Sequence, residues 1–218
     1  MRQPVVDYRK LRPGNIRAPE YSHLLLLLGW VGYFFLYFLT ENLIPAESCH
    51  PIWCPLDDKV PFREGFVLFY VSWYALIVIS LGWFALYSVE SFRGLQTYII
   101  VTQVIAMAVY ILYPSRQDLR PETFPRENFC TWLLGIIYAF DTSTGVCPSL
   151  HVGYSLGIIS TWLREKNASR TWKIVVTLWC LIICVSVAFV KQHSVVDIFA
   201  ALPMCLFTEW FTFYRKKK

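Results

Sequence analysis

"GFVLFYVSWYALIVISLGWFALYS", residues 65–88, is a long apolar stretch without a single charged side chain. About 20 consecutive apolar residues are enough for a helix to cross the hydrocarbon core of a bilayer. The chain as a whole is also apolar, with 56% hydrophobic and 17% aromatic residues among its 218. Soluble domains of ordinary composition carry less apolar surface. The sequence therefore predicts an integral membrane protein built from helices.

Five further apolar stretches accompany this one, and together they predict a single all-α domain, residues 1–218, folded as a polytopic bundle of six transmembrane helices. The predicted spans are 23–40, 65–88, 95–113, 150–163, 171–190 and 194–214. The fourth is short, and we expect its helix to begin at Pro148, since proline is favoured at the first helical position. The apolar segment Phe129–Phe140 is too short to span. We expect it to form a re-entrant or interfacial helix between spans three and four.

The distribution of the 20 lysines and arginines predicts the topology. Most of them lie in the N-terminal segment, the turn between spans two and three, the loop 164–173 and the C-terminus. Cytoplasmic segments carry the excess of basic residues in membrane proteins. We therefore expect both termini in the cytoplasm and the long 114–150 loop on the outer side, which is periplasmic, extracellular or lumenal. This bias accounts for the net charge of +5, so we infer no nucleic-acid partner.

The motif "KQHSVVD", residues 191–197, places His193 and Asp197 four residues apart at the start of the last span. This spacing stacks two side chains on one face of a helix. A carboxylate in that position accepts a hydrogen bond from one imidazole nitrogen and leaves the other nitrogen free and basic. The pair has the chemistry of a nucleophile or a base, although a histidine and an aspartate that merely join two helices have the same spacing.

The motif "CPSLH", residues 147–151, precedes the fourth span. If Pro148 opens the helix, the amides of Ser149 and Leu150 are free, and a helix start with free amides binds anions. The Ser149 hydroxyl adds a donor, and His151 on the first turn is a candidate proton donor. The alternative is an ordinary helix start with an incidental histidine.

Arg116 and Arg120 lie four residues apart in "YPSRQDLRP", residues 113–121, on the same predicted outer side. Guanidinium groups grip phosphate oxygens in a bidentate manner, although an arginine pair solvated by headgroups is the simpler interpretation. Two histidines, a carboxylate, an anion-binding helix start and two arginines then face one compartment. This combination predicts phosphoryl transfer through a phospho-histidine, in which one histidine attacks phosphorus and the other protonates the departing alkoxide.

In these motifs the chain resembles the type 2 phosphatidic acid phosphatase superfamily of lipid phosphate phosphatases. The resemblance covers roughly residues 95–205 and includes three blocks in order. The first block ends in Arg-Pro, the second contains Pro-Ser-any-His, and the third ends in His-x-x-x-Asp. The matching residues are Arg120, Pro121, Pro148, Ser149, His151, His193 and Asp197. The resemblance implies that His193 is the nucleophile, Asp197 its orienting carboxylate and His151 the general acid.

The chain departs from the family pattern at two cationic positions. Tyr113 stands where the first block has a lysine, and Val187 stands where the third block has an arginine. We expect Arg116 to substitute for the first. We expect Lys191 to supply the second charge if the fifth span continues to it, since positions 187 and 191 would then share a helix face. The "PSLH" motif with a nearby lysine also resembles the inositol-phosphotransferase and sphingomyelin-synthase-like branch.

The expected function is hydrolysis of a phosphomonoester or diphosphate of a lipid, either a phospholipid or an isoprenoid phosphate, on the outer side of the membrane. We expect neither a metal nor another cofactor. One alternative is a lipid phosphotransferase, in which a lipid alcohol or inositol replaces water. A second alternative is a non-catalytic lipid-binding or transport protein, since a fold does not fix a function.

Three further interpretations concern cysteines and metals. Cys147 as the nucleophile of a cysteine phosphatase would need an arginine six residues on, where the chain has Gly153. A zinc site at His151, His193 and Asp197 is possible by ligand type alone. Disulfides between Cys49 and Cys54 or between Cys130 and Cys147 remain open, since all four cysteines lie in predicted outer loops.

Overall fold

The structure, a computed structural model, describes residues 3–215, and these residues form an all-helical fold. The helices are α1 (Leu28–Leu43), α2 (Pro55–Lys59), α3 (Val67–Tyr87), α4 (Val89–Leu112), α5 (Phe129–Phe140), α6 (Leu150–Arg164), α7 (Arg170–Phe189) and α8 (Val195–Glu209). A 3₁₀ segment, Ser22–Leu27, leads into α1, and a π-helical segment, Trp210–Tyr214, continues α8. Two short strands, β1 (His50–Pro51) and β2 (Ser115–Arg116), pair in parallel in the loops.

Five of the helical segments in this part of the chain are long and apolar enough to cross a membrane, which confirms a multi-pass membrane protein. They are Ser22–Leu43, Glu64–Tyr87, Val89–Leu112, Arg170–Phe189 and Val195–Tyr214. The predicted fourth span corresponds to α6, which has 15 residues and falls below that length. The prediction that its helix begins at Pro148 is wrong, because Ser149 has extended backbone and serves as the N-cap.

Helix α6 occupies the centre of the bundle, where it packs against α3, α4, α7 and α8. Two glycines on α6 permit close contact with α4. A Cβ atom at Gly153 would lie 2.7 Å from Thr102 Cγ2, and one at Gly157 would lie 2.5 Å from Tyr98 Cδ1. Because most α6 side chains are buried between neighbouring helices, its surroundings are protein rather than lipid. By contrast α1 lies at the periphery and has no buried residue.

Contacts between segments that are distant in the sequence show which loops lie at the same end of the bundle. At one end, hydrogen bonds join the N-terminal segment to α4, the start of α4 to the loop after α6, and the end of α6 to the C-terminal segment. These bonds are Arg93 Nη2 to Ser22 Oγ at 3.0 Å, Ser91 Oγ to Glu165 Oε2 at 2.7 Å, and Arg164 Nη2 to Tyr214 Oη at 2.9 Å. The basic segments therefore share one end, as the charge pattern predicts, and the predicted site residues lie at the other.

Helix α5 and the short strands cover that other end. Strand β2 connects to the loop before α6, since the Cys147 amide donates to Ser115 Oγ at 3.2 Å. Helix α5 packs against α3 and is capped by Asn128, whose side chain accepts the amides of Cys130 and Thr131. All seven cysteines are free thiols, so neither disulfide considered from the sequence is present.

Candidate active site

His193 and Asp197 make the contact that their spacing predicts. His193 Nδ1 lies 3.1 Å from Asp197 Oδ2, and the two residues are 8% and 0% exposed. Ser194 caps α8 by accepting the Val196 amide, while its own amide donates to Asp197 Oδ2 at 3.0 Å. The carboxylate is thereby fixed at the first turn of α8. With Nδ1 committed to Asp197, the Nε2 atom of His193 is the nitrogen left for chemistry.

The structure brings His151 next to this pair. Its ring centroid lies 5.9 Å from that of His193, and it stacks between Tyr70 at 4.3 Å and Trp73 at 4.1 Å. A backbone hydrogen bond from the Ser149 amide to the Asp197 carbonyl, 3.2 Å long, joins the start of α6 to the start of α8. Two motifs that are far apart in the sequence therefore share one small site.

The same bond corrects one expectation about the helix start. The Ser149 amide is not free, because it donates to Asp197. The Ser149 hydroxyl is buried, has no hydrogen-bond partner among residues 3–215 and accepts none of the first-turn amides of α6. The first turn of α6 therefore lacks a side-chain cap, and the hydroxyl remains a candidate donor for an anion.

Asp57 stabilises the start of α8 from the segment between α1 and α3. Its Oδ2 accepts Ser194 Oγ at 2.6 Å and the Cys54 amide at 2.8 Å, and its Oδ1 accepts the Val195 amide at 2.7 Å. A carboxylate at a helix N-terminus is favoured by both the free amides and the helix dipole. This role is not predictable from the sequence, since an aspartate in "CPLDDK" looks like a solvated loop residue.

Arg120 lies beside the site, but its guanidinium already has partners. Its donors reach Gln192 Oε1 at 2.6 and 3.0 Å and the carbonyl oxygens of Tyr138, Asp141 and Thr142 at 2.9 to 3.2 Å. It also lies 4.6 Å from the centroid of the Tyr138 ring. Arg120 therefore holds the C-terminal end of α5 against the residue that precedes His193.

A buried amide and a carboxylate, neither singled out from the sequence, complete this network. Gln192 Nε2 donates to Asp141 Oδ2 at 3.1 Å. The Asp141 carboxylate also accepts the hydroxyls of Tyr37 on α1 and Tyr70 on α3 at 3.3 and 3.2 Å. The end of α5 is thus tied to two spans and to the turn before α8. No periodicity or motif marks Asp141, because its partners come from distant segments.

Arg116 and Lys191 bind other groups. Arg116 contacts Asp118 Oδ2 at 3.1 Å and the Ala46 carbonyl at 3.0 Å. The Lys191 ammonium donates to the carbonyl oxygens of Asp57 and Val60 at 2.9 and 2.7 Å, and burial lowers its pKa.

The expectation that the fifth span continues to Lys191 is wrong. Helix α7 ends at Phe189, and Lys191 has a φ angle of 55° in the left-handed region. Positions 187 and 191 therefore share no helix face. Val187 is itself fully buried in an apolar cluster with Tyr70 and Leu134. Lys191 thus anchors α2. The surroundings of Val187, where the family pattern has an arginine, remain apolar.

An apolar cavity of about 880 Å³ leads to the two histidines. Its walls come from α1, α3, α4, α5 and α6, and its polar groups, which include His151, His193 and Asp141, lie at one end. Tyr74, Val78 and Phe34 line it and are 57%, 70% and 58% exposed, so the cavity opens sideways between α1 and α3. A ligand with an apolar tail can therefore enter from the bilayer.

Two alternative chemistries lose support at this site. Burial and the neighbouring Asp197 carboxylate raise the pKa of the Cys147 thiol to about 12, so it is not a thiolate nucleophile at neutral pH. Among residues 3–215, no cluster of three or more His, Cys, Asp or Glu side chains is placed to share a metal ion.

Comparison of the chain with protein-family models, with curated proteins and with solved structures finds no match.

Proposed function

We propose that the protein is an integral-membrane phosphatase that hydrolyses a lipid phosphate through a phospho-histidine, with the type 2 phosphatidic acid phosphatase superfamily as its relatives. The main observation that supports this proposal is the His193–Asp197 contact of 3.1 Å, which lies beside His151 at the polar end of an apolar cavity. An imidazole that is hydrogen-bonded to a carboxylate can act as a nucleophile, and a second imidazole beside it can act as a general acid. The cavity supplies the route for a lipid substrate.

In the proposed first step, His193 Nε2 attacks phosphorus, and the bond from phosphorus to the lipid oxygen breaks. His151 donates a proton to the departing alkoxide, while Asp197 stabilises the positive charge that develops on His193. The ring centroids lie 5.9 Å apart, so both imidazoles are close enough to reach the same phosphoryl group. In the second step, His151 takes a proton from water, which attacks the phospho-histidine and releases inorganic phosphate.

The phosphate oxygens are proposed to bind the Ser149 hydroxyl and the first-turn amides of α6. Preorganised donors of this kind stabilise charge that develops in the transition state. Arg120 contributes positive charge beside Gln192 and contacts phosphate only if an oxygen of the substrate displaces one of its present acceptors. Arg116 and Lys191 are not part of this proposal, because both bind carbonyl oxygens elsewhere.

The membrane arrangement belongs to the same proposal. We take α6 as a sixth span, since a helix surrounded by α3, α4, α7 and α8 needs no lipid-facing apolar length of its own. Helix α5, with Phe129 and Trp132 exposed, is assigned to the outer interface, where aromatic side chains are favoured. Both termini are then cytoplasmic, and the site faces the outer side.

Replacement of His193 by Ala tests the proposal directly. We expect loss of turnover and loss of alkali-stable, acid-labile phosphate on the protein after brief incubation with labelled lipid phosphate. His50→Ala is the matched control, because His50 is an exposed loop histidine that stacks on Tyr113. If the His193 variant keeps more than a few per cent of wild-type activity, His193 is not the nucleophile.

A lipid phosphotransferase is the second candidate, and the burial of the site favours it. His151 and His193 are only 7% and 8% exposed, and their access route is apolar. Such a site restricts water and admits an alcohol from the bilayer as the acceptor. A single phospholipid in detergent, without added alcohol, distinguishes the two. Stoichiometric phosphate release supports hydrolysis, whereas a new phospholipid formed only with added diacylglycerol, ceramide or inositol supports transfer.

A further inference from the structure

The cavity extends from the histidines almost to the opposite end of the bundle. Its upper end is at the level of Trp73, whose ring stacks on His151. Its lower end is at Leu24 and Ala85. There the Tyr8 hydroxyl contacts both His23 Nε2 and the Ala85 carbonyl at 2.7 Å. The N-terminal segment is therefore bound where the cavity ends.

The helix rise gives the depth of the cavity. Ala85 follows Trp73 by three turns and a fraction, which corresponds to about 18 Å along α3. This exceeds half of the roughly 30 Å hydrocarbon core. An extended chain advances about 1.2 Å per bond, so about 15 bonds fill this depth. The distance suits one long hydrocarbon chain attached to a phosphate at the histidines.

One stripe of α3 forms the wall along this path. The stripe repeats every four residues and contains Trp73, Ile77, Leu81 and Ala85, with Gly82 beside them. Below the level of Asp141 and the histidines the lining contains no charged side chain. Gly82 is exposed, and a Cβ atom added there would meet no atom within 4 Å, so the glycine leaves open space at the lateral opening about 14 Å below Trp73. A large side chain at this position has room to enter the lower part of the cavity.

We propose that this cavity binds one hydrocarbon chain of the substrate and that Gly82 sets the chain length the site accepts. The identity of the headgroup rests on the proposed function, whereas the occupancy of the cavity by a chain stands on the geometry. A second chain, where the lipid has one, remains in the bilayer beside the lateral opening. The substrate class is then a long-chain lipid phosphate, with its phosphate at His193 and the end of its chain near Ala85.

A competition experiment measures this selectivity. Single-chain lipid phosphates with chains of about 10 and about 16 carbons are mixed in excess detergent, and the ratio of their kcat/KM values is determined. We expect Gly82→Phe to lower the long-to-short ratio about tenfold. The ratio is independent of the folded fraction, because both substrates compete for the same enzyme molecules. Gly32→Phe is the matched control, since Gly32 is exposed on α1, has equal space and does not line the cavity.

A binding experiment separates this inference from the proposed function. Non-hydrolysable alkylphosphonates with a photoreactive group at the chain end are crosslinked to the wild-type protein, and the labelled residues are mapped. We expect the long probe to label the region of Ala85, about 18 Å below Trp73, and the short probe to label the region of Leu81, about 12 Å below it. Labelling at the expected positions without turnover of any lipid phosphate would refute the proposed phosphatase activity but would still support binding of a hydrocarbon chain in the cavity. Turnover with an unchanged ratio in Gly82→Phe, or labelling outside the cavity, would overturn the chain site.

Discussion

Substitution of Lys191 by Met separates a phosphate contact from a structural anchor. The family pattern suggests that Lys191 replaces an arginine, whereas its ammonium binds the carbonyl oxygens of Asp57 and Val60 at 2.9 and 2.7 Å. Methionine keeps the apolar stem and removes two charge-assisted hydrogen bonds. Each is worth about 1.5–3 kcal/mol when well buried. Because the lysine is partly exposed, we expect a total loss of about 1–3 kcal/mol in the free energy of unfolding.

The expected effect on catalysis is small by comparison. A lost transition-state contact costs a factor of about 10²–10³ in rate, whereas a loosened anchor should reduce kcat/KM less than about tenfold. The assay is lipid phosphate turnover together with thermal unfolding in the same detergent. Lys59→Met, which removes an exposed lysine at the end of α2, is the control. A hundredfold loss of kcat/KM with an unchanged unfolding temperature would refute the anchor and restore Lys191 to the phosphate site.

Further predictions concern the membrane topology, the reactivity of the Cys147 thiol and the role of the Arg120 guanidinium. An impermeant thiol reagent should label a cysteine placed at the outer Asp118 but not one at Asn167 in sealed cells, once native outer-loop cysteines are replaced; the reverse pattern would invert the topology. Cys147 should resist alkylation at pH 8 and react only near its pKa of about 12, because its thiol stays protonated below that pH; rapid alkylation would contradict its burial. Arg120→Lys should lower kcat and destabilise α5, since a lysine cannot contact Gln192 and three carbonyls together; unchanged kcat and unfolding would contradict this.

The sequence predicted five membrane-crossing segments and the contact between His193 and Asp197 from patterns that are local in the chain. Long apolar runs identify helices in lipid without knowledge of their neighbours. A spacing of four residues makes His193 and Asp197 adjacent whatever the rest of the fold does. The convergence of His151 on this pair also followed, because helices that cross a membrane bring their ends together on the same side.

The cationic residues were less predictable, because their partners come from segments without a periodic signal. Lys191 binds carbonyl oxygens in and just after a five-residue helix, α2, in the segment between α1 and α3. Arg120 binds the end of α5 and the Gln192 side chain. A long side chain reaches several places from one backbone position, so a motif fixes its residue but not its contact. The positive φ angle at Lys191 is likewise not predictable from the sequence, because a non-glycine residue seldom adopts it.

Asp57 is the site residue that the sequence least suggests, and its replacement by Asn makes a sharp test of the outer loop. Both carboxylate oxygens accept hydrogen bonds, from Ser194 Oγ, the Cys54 amide and the Val195 amide. The asparagine amide group must turn its NH₂ toward at least one of these donors, which leaves a buried donor unsatisfied. This costs about 1–3 kcal/mol, and loss of the charge at the start of α8 adds about 0.3–1 kcal/mol.

This change should reach catalysis through geometry, because the capped first turn of α8 carries Asp197 and follows His193 directly. We expect Asp57→Asn to lower kcat by about tenfold or more, as misplacement of a reacting group does, while KM changes little, since Asp57 does not line the cavity. Asp58→Asn is the matched control, because Asp58 is exposed and its Oδ1 accepts the Trp53 indole N–H at 3.3 Å. Equal kcat values for the two variants, measured with unfolding temperatures, would show that His193 keeps its position without the outer loop.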